Sequence, residues 1–251
     1  MPADRTPVPV TRTALRTALC LAGAAGIAGT ASQDIGEPGP VEFWVYFTVQ
    51  SNLLLTAYFA VLLVRSLRRP DADPAFLPAV KGAVTLYILI TGTVFNLLLA
   101  NPASPFYTVQ RESHYTWDSV LMHVVTPLAA LLDWLLFGPR GALRWRHALV
   151  WLAYPLAYLA FALVRGAVVT TGMRYPYPFV DVAKAGYAMV SVNCTVLAVA
   201  FYLLGTGLVA ADRALSPRGS GAVAAASVPG PAGEPAGEPE PETAPVPGAP
   251  L

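Results

Sequence analysis

Thr48 and His123 are the two residues of this chain whose types and settings together could do covalent chemistry. Thr48 lies in Phe43-Trp44-Val45-Tyr46-Phe47-Thr48-Val49-Gln50-Ser51-Asn52, where polar side chains break into an apolar run that continues to Val64. A threonine hydroxyl is a poor nucleophile until a neighbouring base takes its proton. Neutral imidazole can do this, with a gain in rate of about 10²–10⁴. His123 falls well inside an apolar run, whereas His114 and His147 read as loop residues. The chemistry to expect is ester hydrolysis. Thr48 attacks the acyl carbon, His123 accepts and then returns the proton, and water releases the acyl group. The oxyanion needs donors. Asn52, Asn96 and Asn193 are candidates, with Arg165 as a further substrate contact, and the sequence does not choose among them.

Each of these residues also has a plain structural reading. A helical threonine commonly bonds the carbonyl one turn back, and Asn52 stands at i+4 from Thr48, on the same face. Intramembrane asparagines serve as glue between helices, at about 0.6–2 kcal/mol each. His123 resists that reading, because an ionisable group inside a membrane is a functional candidate by default. Pro127, four residues on, cannot donate to the His123 carbonyl, so the helix should bend there and open space. Pro155 should distort its own helix, for structural reasons alone. Asp133 lies ten steps of 100° after His123, about 80° away around the helix. It reads as a paired structural charge rather than a third catalytic member.

The elements that must position these groups are membrane helices. Of 251 residues, 55% are hydrophobic and 12% charged, with a mean hydropathy of +0.53. A soluble domain carries about 25% charged residues. The class expected is an all-α polytopic bundle, with residues 1–12 as a polar lead and 13–212 as the transmembrane domain. Its six apolar runs are approximately 13–29, 43–64, 80–100, 118–137, 148–169 and 187–210, most of them near the 20 residues that cross a bilayer. The first is weak, rich in Ala and Gly, and has a cleaved signal peptide as its rival. Retention is the expectation; cleavage would leave five spans in unchanged orientation. Beyond Ser216 the chain turns to Pro, Ala, Gly and Glu, with two Ala-Gly-Glu-Pro units at 232–239, and reads as a disordered tail, 216–251.

Orientation follows from the basic residues. With the N-terminus in the cytoplasm, Arg5, Arg12, Arg16, Arg65, Arg68, Arg69, Lys81, Arg140, Arg144, Arg146, Arg213 and Arg218 fall inside. Only Arg111, Arg165, Arg174 and Lys184 fall outside. Both termini are therefore expected in the cytoplasm of a multi-pass membrane protein. Arginine outnumbers lysine 14 to 2, a bias that fits a GC-rich bacterium and its plasma membrane. The net charge of +1 gives no reason to expect a nucleic-acid partner. Cys20 and Cys194 sit in runs of opposite direction at different depths and read as two buried thiols.

Counting depth at about 1.5 Å per residue puts Thr48, six past Glu42, roughly 9 Å inside the outer face. His123, five past Asp118, lies at about 7–8 Å by the same count. Asn52, Asn96, Arg165 and Asn193 share that outer half, while the inner half holds little beyond Asp133 and Cys20. A pair at this depth suits an ester carried by a lipid that enters sideways from the outer leaflet.

At these residues the chain resembles a family, the six-helix androgen-induced and androgen-dependent membrane hydrolases and their bacterial relatives. Tyr46-Phe47-Thr48 is similar to that family's aromatic entry to an early helix. Met122-His123 with Pro127 is similar to its central histidine, and Thr171-Gly172-Met173 followed by Tyr177-Pro178-Phe179 to its approach to the last helix. The resemblance spans most of 13–212 through short motifs. It implies hydrolysis of fatty acid esters of hydroxy fatty acids or related lipid esters, with Thr48 as nucleophile and His123 as partner; no cofactor or metal is expected from the residues present. Ser51 stands where animal members tend to carry an acidic or amide residue, and His123–Pro127 is one residue shorter. Both departures bear on the substrate.

Other classes fit less well. A haem carrier wants paired intramembrane histidines, a zinc hydrolase about three protein ligands, and a rhomboid-type protease Gly-x-Ser-x-Gly. A transporter usually shows an internal repeat. The main alternative is a non-enzymatic integral membrane regulator or scaffold whose polar cluster only holds helices together. The oligomeric state is not legible.

Overall fold

A computed structural model describes residues 8–36, 42–68, 76–108 and 115–216. Arg5, Arg69, Arg111, His114, Arg218 and the expected tail after Ser216 lie outside the described residues. Within them the protein is helical, with no strand, and six helices are long and apolar enough to cross a membrane.

The first is α1, Val8–Gly36, longer than the 13–29 run at both ends. Its low hydropathy is offset by a face of glycines that admits neighbours. A Cβ on Gly23 would lie 2.1 Å from Thr56 Oγ1 on the second span, and one on Gly26 would lie 2.6 Å from Met122 on the fourth. Small residues at such contacts let helix backbones approach closely in a membrane. α1 is packed into the bundle on both neighbours.

The second span is α2, Phe47–Arg68. It does not begin at Phe43 as the apolar run does. Phe43–Val45 forms a 3-10 turn and Tyr46 is extended (φ −75°, ψ 137°), so the α-helix restarts at Phe47. The depth count from Glu42 assumed continuous helix and fails here. Thr48 stands in the first turn of α2, not a turn and a half inside it. Val45 is pinned in this approach by Tyr158, whose hydroxyl donates to its carbonyl at 3.0 Å.

Helix α3, Pro78–Val94, forms the third span together with a π-helical turn, Phe95–Leu99, in which Ala100 N–H bonds Phe95 O. The fourth span has three parts: α4, Trp117–Val120, a second π turn, Leu121–Val125, and α5, Thr126–Phe137. The fifth has two, α6, Trp145–Val150, and α7, Ala153–Val168. Its break at Trp151–Leu152 follows from Pro155, whose ring collides with the carbonyl four residues earlier, that of Trp151. His147, read from the sequence as a loop residue, lies in the first turn of α6, where its Nδ1 accepts from Arg144 N–H at 3.1 Å. The sixth span, α8, covers Val182–Ala214, starting before the apolar run and bent at Gly186, whose φ of 73° only glycine adopts without strain.

Away from Thr48, the bundle encloses an ion cluster. Arg16 Nε donates to Asp133 Oδ1 at 2.9 Å, and Lys81 pairs with Asp133 Oδ2 and bonds its main-chain carbonyl at 3.1 Å. The Arg16 and Asp133 side chains are 0% exposed, so Asp133 is the paired structural charge its sequence position implied. Arg16 and Lys81, counted among the inner-side cations, are therefore buried partners rather than loop charges. Nearby, Asp212 of α8 is buried and accepts from Leu143 N–H at 2.8 Å, fastening the turn between the fourth and fifth spans.

Candidate functional site

The fourth span is built to hold His123 out of register. In its π turn, Thr126 N–H reaches back to Leu121 O instead of Met122 O. Pro127 has no N–H to give to His123 O. Two main-chain carbonyls are thus released inside the bundle, where each needs a donor. Asn52 Nδ2 bonds Met122 O at 3.3 Å and Thr48 O at 2.9 Å. Asn96 Nδ2 bonds His123 O at 3.1 Å and Gly92 O at 2.8 Å. Thr126 donates its hydroxyl to Asn52 Oδ1 at 2.8 Å, fixing which way that amide faces. The helices approach closely enough for this because Gly92 faces the turn: a Cβ there would lie 3.0 Å from His123 O.

Asn52 and Asn96, two of the three asparagines named as oxyanion candidates, thus have other work. Their amide groups are committed to carbonyls around the π turn, and they brace the histidine.

The result is a short approach between the second and fourth spans. Thr48 Oγ1 lies 3.2 Å from His123 Nε2. On the far side of the ring, His123 Nδ1 lies 2.9 Å from Ser119 O and 3.1 Å from Ser119 Oγ. A main-chain carbonyl can only accept, so it assigns the imidazole proton to Nδ1 and leaves the Nε2 lone pair facing Thr48. Phe95 stacks on the imidazole (centroids 3.8 Å apart, planes at 16°) and holds its tilt. The ring thus has a carbonyl partner on one nitrogen and a basic lone pair within hydrogen-bond distance of the Thr48 hydroxyl on the other.

A third group, outside the candidates that the sequence offers, meets Thr48. Tyr177 Oη lies 3.5 Å from Thr48 Oγ1 and 3.4 Å from Thr48 N. It comes from the segment between the fifth and sixth spans, just before the 3-10 turn Pro178–Val180. Burial pushes its phenol above the ordinary tyrosine value, so the hydroxyl keeps its proton and stays a donor. The Thr48 N–H, in the first turn of α2 where helix starts leave such groups without intrahelical partners, donates to that same Tyr177 oxygen. The motif Tyr177-Pro178-Phe179 was visible in the sequence, but only as part of the family resemblance.

Arg165 and Asn193, the remaining candidates, fasten the Tyr177 segment. Arg165 reaches Glu42 Oε1 at 2.5 Å and donates from Nε to Met173 O at 3.2 Å, while Met173 N–H donates to Glu42 Oε2 at 3.1 Å. Asn193 Nδ2 donates to Phe179 O at 3.3 Å. The approach to α2 and the segment crossing above it are clamped together, with Thr48 and Tyr177 brought face to face.

Beside Thr48 is a hollow enclosing about 760 Å³ of non-atom space, its open mouth included. Phe47, Ile90 and Phe95 form its inner wall, and Leu156, Leu159 and Phe201 part of its outer one. Thr48, Thr91, Tyr158 and Tyr177 bring hydroxyls to a lining that is otherwise apolar apart from Cys194. Among the described residues, no charged side chain lines it. No protein-family model, no curated protein and no solved structure matches this chain.

Proposed function

We propose that this protein is a multi-pass membrane hydrolase of lipid esters, with Thr48 as nucleophile, His123 as general base and Tyr177 as an oxyanion donor. The observation that carries the reading is the 3.2 Å approach of Thr48 Oγ1 to His123 Nε2, on a ring whose other nitrogen is already tied to Ser119. His123 takes the Thr48 proton as Oγ1 bonds to the acyl carbon. The carbonyl electrons move onto oxygen, where the Tyr177 O–H, itself accepting from Thr48 N–H, stabilises them. Collapse expels the alcohol, which takes the proton back from Nε2. Water, deprotonated by the same nitrogen, then releases the acid from Thr48. The apolar hollow favours a substrate with a fatty chain. The resemblance to the androgen-induced and androgen-dependent hydrolases supports the same class and narrows it to esters of hydroxy fatty acids.

A fluorophosphonate probe tests the reading directly. It is expected to label the wild type in reconstituted membranes on the peptide containing Thr48, and not to label Thr48→Ala. Absence of label from wild type, together with no turnover of any lipid ester, would leave the regulator or scaffold reading. That alternative draws on the roles of Asn52, Asn96 and Asn193, all of which hold backbone in place.

Tyr177→Phe removes one proton and little volume. Loss of one oxyanion donor costs about 10²–10³ in kcat, and that is the fall expected, with KM little changed. A fall in binding alone would make Tyr177 a wall of the hollow and no more.

We also place both termini in the cytoplasm. With Arg16 and Lys81 set aside as buried partners, ten of the twelve inner-side cations remain against four. A tag on either end should be protected from protease in sealed, right-side-out vesicles or spheroplasts and cleaved once they are permeabilised. Cleavage in intact ones would reverse the assignment.

A further inference from the structure

The hollow beside Thr48 does not end inside the bundle. Leu152, Leu156, Leu159, Cys194 and Ala198 line both it and a second, shallower cavity that adds Thr195, Val199 and Tyr202. The two are parts of one slot between the fifth and sixth spans. Its cause is the break at Trp151–Leu152. α8 packs closely on α6 before that break and on the Pro178–Val180 turn at the opposite end, but hardly at all on α7 between them. The slot is thus closed at both ends and open at its side. Leu156 and Val199 on its rim are 51% and 53% exposed, on helices whose length and composition fit them to cross a membrane. From Cys194 to Tyr202 it follows α8 for eight residues, about 12 Å.

We propose that this slot is a lateral portal from the bilayer, and that it takes the unbranched acyl chain of a membrane-dissolved ester, with the ester carbonyl at Thr48 and the methyl end toward Tyr202. The inference rests on the hydrolase reading and specifies its substrate by the side that is bound. The chain to be transferred lies in the slot, and the alcohol departs from the other side of the carbonyl. The walls have apolar side chains for such a chain and nothing to hold a charged headgroup. Polar groups on these walls are a few scattered hydroxyls and one thiol among mostly apolar side chains, and a long side-opening between membrane helices is filled by hydrocarbon at no cost in desolvation. Recognition would be by shape and burial, so selectivity should follow chain length.

The test compares hexadecanoyl and acetyl esters of one alcohol, in protein reconstituted into phosphatidylcholine vesicles. Ala198→Trp fills the slot from α8 and should lower the ratio of long- to short-chain kcat/KM by at least about tenfold. Leu203→Trp, on a 61% exposed position outside the slot, should leave that ratio unaltered. An unchanged ratio in Ala198→Trp would overturn the portal while hydrolysis at Thr48 stood. A second measurement needs neither turnover nor a folded tryptophan variant. A hexadecanoyl ester with a diazirine near its methyl end should cross-link the Thr48→Ala protein within 152–159 or 194–202, and excess unlabelled ester should compete. Cross-linking to those segments without turnover in wild type would keep the slot and defeat the hydrolase reading. Cross-links elsewhere, or none that compete, would defeat the slot.

Discussion

Replacing Thr48 with alanine is expected to abolish ester turnover, by at least about 10³-fold, with the bundle intact. Its Oγ1 supplies the attacking atom and has no structural bond that the fold depends on, since Asn52 uses the Thr48 carbonyl, not the hydroxyl. His123→Ala should cost about as much, and the double variant little more than either, because the two act as one unit and their effects do not add. Thr48→Ser keeps the nucleophilic oxygen and should retain part of the activity. The measurement is initial rate against a panel of lipid esters in reconstituted vesicles, with thermal unfolding in detergent as the folding control. Full activity in Thr48→Ala would remove the proposed mechanism. Loss of activity together with loss of folding in His123→Ala would show only that the histidine braces the fourth span. His123→Gln, which preserves the volume, separates the two outcomes.

The second large effect is on stability. Asp133→Ala leaves Arg16 and Lys81 facing each other inside the bundle with no anion between them. Removing one partner of a buried pair costs about 3–5 kcal/mol, because the remaining charge is left uncompensated. Here two charges remain, so the upper part of that range is expected. Lys81→Met should cost much less, since Asp133 keeps its 2.9 Å bond to Arg16 Nε. The readout is the midpoint of thermal unfolding in a single detergent. Asp133→Ala should lower it well below both wild type and Lys81→Met. Equal midpoints for the two variants would mean that water or lipid headgroups reach the cluster and screen it. Because Arg16 comes from α1, the same cluster ties the weakest of the six apolar runs to the third and fourth spans.

The wording of the sequence was enough for some of this and not for the rest. Six apolar runs gave six long helices because a membrane-spanning backbone must satisfy itself within each segment, which leaves length and hydropathy to mark each one. The pairing of Thr48 with His123 was also legible, since a hydroxyl and an imidazole inside apolar runs have few partners to choose from. Pro127 pointed to a disturbance at His123, and Pro155 to one at Trp151, through the N–H each lacks. What the sequence could not carry was where the donors of Asn52, Asn96, Asn193 and Arg165 would go. Each could have faced a substrate. The π turn at Leu121–Val125 freed Met122 O and His123 O, and unmet carbonyls in that setting outbid every other use of the asparagines. Tyr177 likewise became a neighbour of Thr48 only once Arg165 and Glu42 had drawn its segment over the start of α2. Local composition decides whether a segment crosses hydrocarbon; which polar group meets which is decided by helix register and by breaks in it, and those are settled between helices, not within them.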